Sequence, residues 1–322
     1  MSTLTVQASR RFGTLSPLRY PGGKSALAGL FADLIDAIGL TDATYVEPYA
    51  GGAGAGIALL RQGRVKQLVI NDIDPAVHAF WSSATTNTDA LLDRVNAVPL
   101  TLTEWHRQRD IYRAGTANTL DLGFAFFYLN RTNRSGVLNA GVIGGQAQAG
   151  TYKIDARFNR ATLTERLRAI GDLADHIEVT DLDGRTTIQR YAADPKAFLY
   201  IDPPYVAAGS RLYLNAFERR DHQALAVAIN SITAAHWLLT YDVAPLIEHL
   251  YCDHYLAHLA LTYSARHPGT ADELLVASPR VADALTSMNL PLPAEEAQQQ
   301  HRMQEPERRN APSAARTSPH LH

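Results

Sequence analysis

The sequence predicts an α/β protein, an open sheet of strand–turn–helix–strand units interrupted midway by a long, mainly helical insertion. Three observations carry this expectation. Short apolar runs ending in polar or acidic residues alternate with helix-length amphipathic stretches. A glycine-rich turn joins the first of these runs to a helix. Roughly 130 residues separate Asp72 from Asp202, more chain than the connection of a bare Rossmann-like sheet needs, so part of it must form a subdomain.

The elements follow in order. After Lys24, the spacing of Leu27, Leu30, Phe31, Leu34, Ile35 and Ile38 is helical, and Gly39 sits where a helix stops. Thr44 to Val46 reads as a strand running into the glycine turn, and Ala55 to Leu60 as the helix after it. Leu68 to Ile70 is a second strand ending at Asn71-Asp72, with Pro75 placed to open a helix. The pattern resumes with a strand at Ala197 to Ile201, a helix from about Asp221 through Ile232, and a strand at Trp237 to Tyr241. Two more strands follow, Tyr255 to Leu261 and Glu273 to Ala277, joined by the polar loop Ser264 to Asp272. This places the N-terminal part of the core at residues 15–85, the insertion at 86–180 and the C-terminal part at 181–285. From Pro291 to His322 large apolar residues are few, and the tail 290–322 is expected to be disordered.

The bulk composition narrows the function classes. With 322 residues, 46% of them hydrophobic and 19% charged, the chain can bury a core of enzyme size. Met1 to Phe12 lacks a signal-peptide stretch, and no eighteen apolar residues run together, so the expectation is a cytoplasmic protein without a membrane partner. Cys252 is the only cysteine, which excludes an internal disulfide and a cysteine-rich zinc site. The histidines, His249 and His254 among them, form no pair at ligand spacing with a convincing acidic partner, and no metal is expected. The net charge of −2 hides an asymmetry: from Glu104 to Arg168, ten basic side chains face five acidic ones. Such a segment suits either a DNA-facing module or a solvated helix face.

Two loops carry chemistry. Glu47 to Gly54 follows a strand and precedes a helix, and its glycines, Gly52 and Gly54 among them, permit a tight turn and close approach of a ligand to the backbone. Asp72 follows Gly52 by about twenty residues, the spacing at which an acid ending the next strand grips a ribose. The pair suits a nucleoside cofactor, either a dinucleotide or S-adenosylmethionine. Asp202-Pro203-Pro204-Tyr205 is more specific. Its prolines stiffen the loop, so that Asp202 and the Pro203 carbonyl become neighbouring acceptors beside the aromatic face of Tyr205. An adenine amino group is a poor nucleophile because its lone pair is delocalised, and two acceptors on its hydrogens favour the geometry that frees that pair. Stacking on Tyr205 would hold a base extruded from a duplex.

Further stretches stand in order around these loops: Tyr20-Pro21-Gly22-Gly23-Lys24, Asn71-Asp72-Ile73-Asp74, Leu129 to Gly136, and Asp272-Glu273-Leu274-Leu275. On these motifs the chain resembles the Dam-like (alpha-type) adenine-specific DNA methyltransferases from about Pro17 to Ser278. The resemblance implies a Rossmann-like methyltransferase core with an inserted target-recognition subdomain, and transfer of a methyl group from S-adenosylmethionine to adenine in duplex DNA. It implies that Asp202, Pro203, Pro204 and Tyr205 are catalytic. It further implies that Tyr20, Lys24, Glu47, Gly52, Gly54, Asp72 and Asp202 contact the cofactor, with Lys24 reaching toward its carboxylate. Arg131, Asn133, Arg134 and Asn139, together with Gln146 and Gln148, are side-chain types that reach base edges or phosphates. Gly141, Gly144, Gly145 and Gly150 suggest a flexible loop or hairpin near them. The implied partners are double-stranded DNA and, in a restriction-modification setting, a cognate endonuclease reading the same sequence.

Competing readings remain at this stage. The acceptor loop would also serve the cytosine 4-amino group, an RNA base or a protein glutamine amide. A nucleoside-binding protein without turnover would not need the Asp202 loop. An NAD-dependent oxidoreductase would leave that loop without a task.

Overall fold

Alternation along the apolar runs sets the layers of the fold. In Ala197–Ile201, Phe198 and Tyr200 enter one hydrophobic cluster while Ala197, Leu199 and Ile201 enter another, as in a strand buried on both faces. Tyr45 and Val46 divide in the same way, as do Leu68 and Ile70 against Val69. The outcome is an eight-stranded sheet between two helical layers. The computed structural model describes residues 2–7, 15–19, 24–206, 217–262 and 270–288. Tyr20 to Gly23 and the stretch from Pro291 to His322 lie outside the described residues.

The strands are β1 (Ser2–Gln7), β2 (Thr44–Glu47), β3 (Gln67–Asn71), β4 (Ile177–Thr180), β5 (Ala197–Ile201), β6 (His236–Asp242), β7 (Tyr255–Thr262) and β8 (Thr270–Ala277). Their order across the sheet is β1-β7-β8-β6-β5-β2-β3-β4. β8 runs antiparallel between β6 and β7, and the other pairings are parallel.

The helices are α1 (Ala28–Ala37), α2 (Gly54–Arg61), α3 (Pro75–Thr86), α4 (Thr88–Ala97), α5 (Leu102–Ala114), α6 (Thr119–Thr132), α7 (Arg160–Gly171), α8 (Gly184–Tyr191), α9 (Arg219–Asn230), α10 (Pro245–Leu250) and α11 (Pro279–Ser287). Helices α8, α9 and α10 contribute Ile188, Leu225 and Ile247 to one cluster. Helices α1, α2, α3 and α11 build the other with Phe31, Leu59, Phe80 and Leu285. Among the described residues, no helix is long and apolar enough to cross a membrane.

Every element expected from the apolar patterns is present, with Gly39 ending α1 at a φ of 73°. Two findings differ from the expectation. β1 was not anticipated, yet Ser2–Gln7 pairs in parallel with β7 at the sheet edge, burying Leu4 and Val6. β4, which falls inside the range 86–180, belongs to the main sheet as the partner of β3. Helices α4 to α7 lie between β3 and β4 in sequence, and they share one hydrophobic cluster with α3 rather than enclosing a core of their own. Gly123 of α6 permits this contact, because a Cβ there would lie 2.5 Å from the carbonyl oxygen of Ala79 on α3.

β2 occupies the switch point of the sheet: the chain leaves it for β3 on one side and returns to β5 on the other. In open α/β sheets the crevice beyond the strand ends at such a point receives ligands. Glu47, Asp72 and Asp202 follow or end these three strands.

Candidate active site

A cavity of about 450 Å³ opens at this crevice. Its lining includes Lys24, Glu47, Gly52, Gly54, Asp72, Asn130, Arg131, Asn139, Asp202, Pro204, Tyr205 and Glu273. The structure therefore gathers residues from both loops, the N-terminal segment, the inserted helices and β8 around one space.

The glycine loop is shaped by backbone demands. Gly51 and Ala53 adopt positive φ angles of 46° and 42°, and Ala53 leads directly into α2. The loop is then pinned from several sides: Ala50 N–H donates to the Asn71 carbonyl at 2.9 Å, Trp81 Nε1 to the Gly51 carbonyl at 2.9 Å, and Ser16 Oγ to the Gly52 carbonyl at 2.6 Å. Beneath it, Glu47 Oε1 accepts from Gly56 N–H at 2.9 Å. Burial pushes the Glu47 carboxyl up to about 8, opposed by that hydrogen bond.

Asp72 is set by its own strand end. It accepts from Gly51 N–H at 2.9 Å and Asp74 N–H at 3.0 Å, while Asp74 caps α3 through Ala76 N–H. Desolvation raises its carboxyl to about 6. Asn71, fully buried, fixes this corner with four hydrogen bonds, donating to the Pro48 and Leu182 carbonyls and accepting from Thr180 Oγ1 and Leu182 N–H. One side chain thus joins the glycine loop, β3 and the chain leaving β4.

The Asp202 loop is organised by a hydrogen-bonded chain. Tyr200 and Thr240 meet at 2.7 Å between adjacent strands, and Thr240 Oγ1 donates to Asp202 Oδ1 at 2.8 Å. Tyr205 hydroxyl lies 3.0 Å from Asp202 Oδ1 and 2.9 Å from Glu273 Oε1. Lys24 Nζ donates to that hydroxyl at 2.8 Å and to both Glu273 oxygens at 2.5 and 2.7 Å, with Asp202 Oδ1 at 3.8 Å. Among the described residues, every hydrogen-bond partner of Asp202 thus sits on Oδ1. Burial raises the Asp202 carboxyl above the usual range; Lys24 opposes this and Glu273 reinforces it.

Several expected site residues are placed differently from expectation. Lys24 lines the cavity with its ammonium turned to Glu273 and Tyr205. Tyr205 offers a half-buried ring, but its hydroxyl is bound into the charged cluster. Asn133 is fully buried: its oxygen accepts from Trp105 Nε1 at 2.7 Å, and its amide donates to the carbonyls of Val137 and Leu138. It shapes the chain after α6 and does not reach outward.

Arg131 holds the Arg157 carbonyl through Nε at 2.8 Å and lines the cavity. Burial and the nearby Arg19, Arg166 and Arg157 lower its guanidinium to about 10. Arg134 and Asn139 are exposed. The glycine-rich stretch forms defined turns rather than a loose loop, because Gln148 donates to the Ile143 and Gly145 carbonyls and accepts from Ile154 N–H. Gln148 is thereby spent internally, while Gln146 stays exposed. Tyr20 lies outside the described residues.

Other members of the site carried no role in the sequence reading. Thr240 and Tyr200 look like ordinary strand residues, Glu273 stands in the motif Asp272 to Leu275 without a role of its own, and only the sheet order brings the three to Asp202. Asn130 looks like one more polar residue of the DNA-contacting stretch. It makes a reciprocal pair with the Arg19 backbone, accepting from N–H at 2.8 Å and donating to the carbonyl at 2.7 Å. Phe217 lines the cavity edge-on to Tyr49, with ring centroids 5.9 Å apart.

Comparison with known proteins follows this geometry. Two structures of the rRNA methyltransferase aviRa from Streptomyces viridochromogenes are similar to the chain at 16% and 17% identity, with TM-scores of 0.37 and 0.36. In each case the match covers 83% of this chain and 89% of the other. No curated protein matches the chain. A family model described as D12 class N6 adenine-specific DNA methyltransferase matches residues 20–264. That span holds the glycine loop, Asp72, the inserted helices and the Asp202 loop, and the chain belongs to the D12 class N6 adenine-specific DNA methyltransferases.

Proposed function

We propose that the protein methylates the 6-amino group of an adenine flipped out of duplex DNA, using S-adenosylmethionine, with Asp202 as the acceptor for a hydrogen of that amine. The observation that carries this reading is the geometry of Asp202. Its partners among the described residues crowd Oδ1, so Oδ2 can accept from a base entering the same cavity that Asp72 lines.

The residues present fit the cofactor. The cavity volume lies within the range of small-molecule sites, about 300–1,000 Å³, and Asp72 and Asp202 on its wall favour a cationic ligand. Asp72, with Gly51 held against it, would take the ribose, and the glycine loop would approach the amino-acid part. Bound there, S-adenosylmethionine supplies a methyl group activated by the positive sulfur. The chain's own work is positional. Thr240 and Tyr205 fix the rotamer of Asp202, Pro203 and Pro204 stiffen its loop, and the Pro203 carbonyl serves as second acceptor. The rings of Tyr205, Tyr49 and Phe217 offer apolar faces to the base. Helices α4 to α7 and the turns after α6 carry the DNA contacts, with Arg134 exposed and Arg131 and Asn139 at the cavity wall. A restriction endonuclease reading the same sequence would be a functional partner in the cytoplasm.

The test is incubation with duplex DNA and tritiated S-adenosylmethionine, followed by nucleoside analysis. The reading requires label in N6-methyladenine. Label in N4-methylcytosine, or in RNA alone, overturns it. Asp202→Asn should lower single-turnover methylation about a hundredfold to a thousandfold with cofactor saturating.

A further inference from the structure

We propose that Glu273 is a positioning residue of the reaction: it holds the Lys24 ammonium away from Asp202, so that the catalytic carboxylate stays free to accept from the target amine. The inference rests on the reading of Asp202 given above, and Glu273 lies beyond residues 20–264, which the family model matches.

The geometry is a lysine between two carboxylates that it does not share equally. Lys24 Nζ contacts both oxygens of Glu273, at 2.5 and 2.7 Å, and stays 3.8 Å from Asp202 Oδ1. The Lys24 and Glu273 side chains are 5% and 10% exposed, whereas Asp202 is 24% exposed. In so dry a setting an ammonium seeks the nearest carboxylate strongly. Glu273 wins because its strand delivers it. β8 is inserted between β6 and β7, and Glu273 pairs with Asp242 and Leu259 in the middle of the sheet, so its carboxylate is held on a rigid element.

Charge counting shows what the arrangement achieves. Lys24, Glu273 and Asp202 carry one positive and two negative charges, and the bidentate contact pairs Lys24 with Glu273. The remaining negative charge falls on Asp202, facing the cavity where the amine gains positive character as it is methylated. Without the Glu273 charge, Lys24 would be drawn the remaining distance to Asp202, occupy its lone pairs and cancel that charge. Tyr205 couples the two carboxylates. Its single hydroxyl proton can serve Asp202 at 3.0 Å or Glu273 at 2.9 Å, and its oxygen accepts from Lys24 at 2.8 Å.

A buried ion pair that only supports the fold would show the same distances, so the test separates charge placement from stability. Glu273→Gln, Glu273→Asp, Lys24→Met and the double variant Lys24→Met/Glu273→Gln are compared with the wild type. Single-turnover methylation at saturating cofactor and DNA is read beside calorimetric S-adenosylmethionine affinity and thermal melting. Glu273→Gln is expected to slow the chemical step by roughly tenfold to a hundredfold, with cofactor affinity changed less than about threefold. Glu273→Asp, which keeps the charge, should recover most of the rate. In the double variant no ammonium remains to capture Asp202, and it should methylate faster than Glu273→Gln alone. A double variant no faster than the single, or Glu273→Gln at the wild-type rate, overturns the inference while leaving adenine methylation by the wild type intact. A wild type that does not methylate adenine removes the underlying reading and this inference with it. Losses confined to melting temperature assign the pair a structural role and also overturn it.

Discussion

Thr240 on β6 donates to Asp202 Oδ1 at 2.8 Å across the pair β5 and β6, and it does so while bonded to Tyr200 at 2.7 Å. The carboxylate proposed as catalytic is therefore aimed by a neighbouring strand, not by its own loop alone. A hydrogen bond to a charged group contributes about 1.5–3 kcal/mol. Thr240→Val, which keeps the shape, should slow single-turnover methylation roughly tenfold to a hundredfold and leave cofactor affinity nearly unchanged. Equal rates for variant and wild type would show that Tyr205 alone suffices to fix Asp202.

Asp72 joins the glycine loop to the start of α3 through Gly51 and Asp74 N–H. Asp72→Ala removes both the proposed ribose acceptor and an acceptor that shapes the loop. S-adenosylmethionine affinity measured by calorimetry should fall by roughly tenfold or more. Binding of NAD in place of S-adenosylmethionine would contradict the proposed cofactor.

Asn133 and Arg134 are adjacent and should behave oppositely. Asn133→Ala leaves Trp105 Nε1, on a residue 3% exposed, without its acceptor. An unsatisfied buried donor costs about 1–3 kcal/mol, so melting temperature should drop. Arg134→Ala should leave melting unchanged and weaken duplex binding, with a shallower dependence on salt. DNA titrations at several salt concentrations, beside thermal melts, decide between the two effects.

Glu47 gives a pH prediction. Its carboxyl stands at about 8 in the folded protein against 4.5 for the free side chain, chiefly through burial. A raised folded value means that stability is greatest below about 4.5 and is lost as pH rises through about 8. Glu47→Gln keeps an acceptor for Gly56 N–H but cannot ionise. The melting temperature of the variant relative to the wild type should rise from about pH 4.5 to about pH 8 and level off above it. A difference that stays flat would place a charged carboxylate in the folded protein throughout.

The helices and parallel strands were legible because their signals are local: a continuous apolar run in β5, helical spacing in α1, Pro75 after a capping Asp74. β1 was missed although it alternates, because only Leu4 and Val6 are apolar and its partner β7 lies at the far end of the chain. Within the site, Asp72 and Asp202 stand in distinctive loops. Glu273 does not, since an acid beginning an apolar run looks the same whether it faces water or a buried lysine. The opposite fates of Asn133 and Arg134 were invisible for another reason. They depend on the end of α6, where Asn133 leaves the helix in an extended conformation, φ −85° and ψ 154°, so that its side chain and the next point to opposite sides.

The edge pairing of β1 has a consequence for how the molecule is made. β1 and its partner lie far apart in the chain: Ala257, opposite Ser2, follows about 250 residues later. β7 in turn gains its place in the sheet only when β8, later still, enters between it and β6. The sheet therefore closes its edge last, by long-range pairings that are slow to form. Until β8 is in place the folding chain has every residue of the Asp202 loop, and Lys24 as well, but not the strand that carries Glu273. Closure of this edge and assembly of the charged cluster thus coincide.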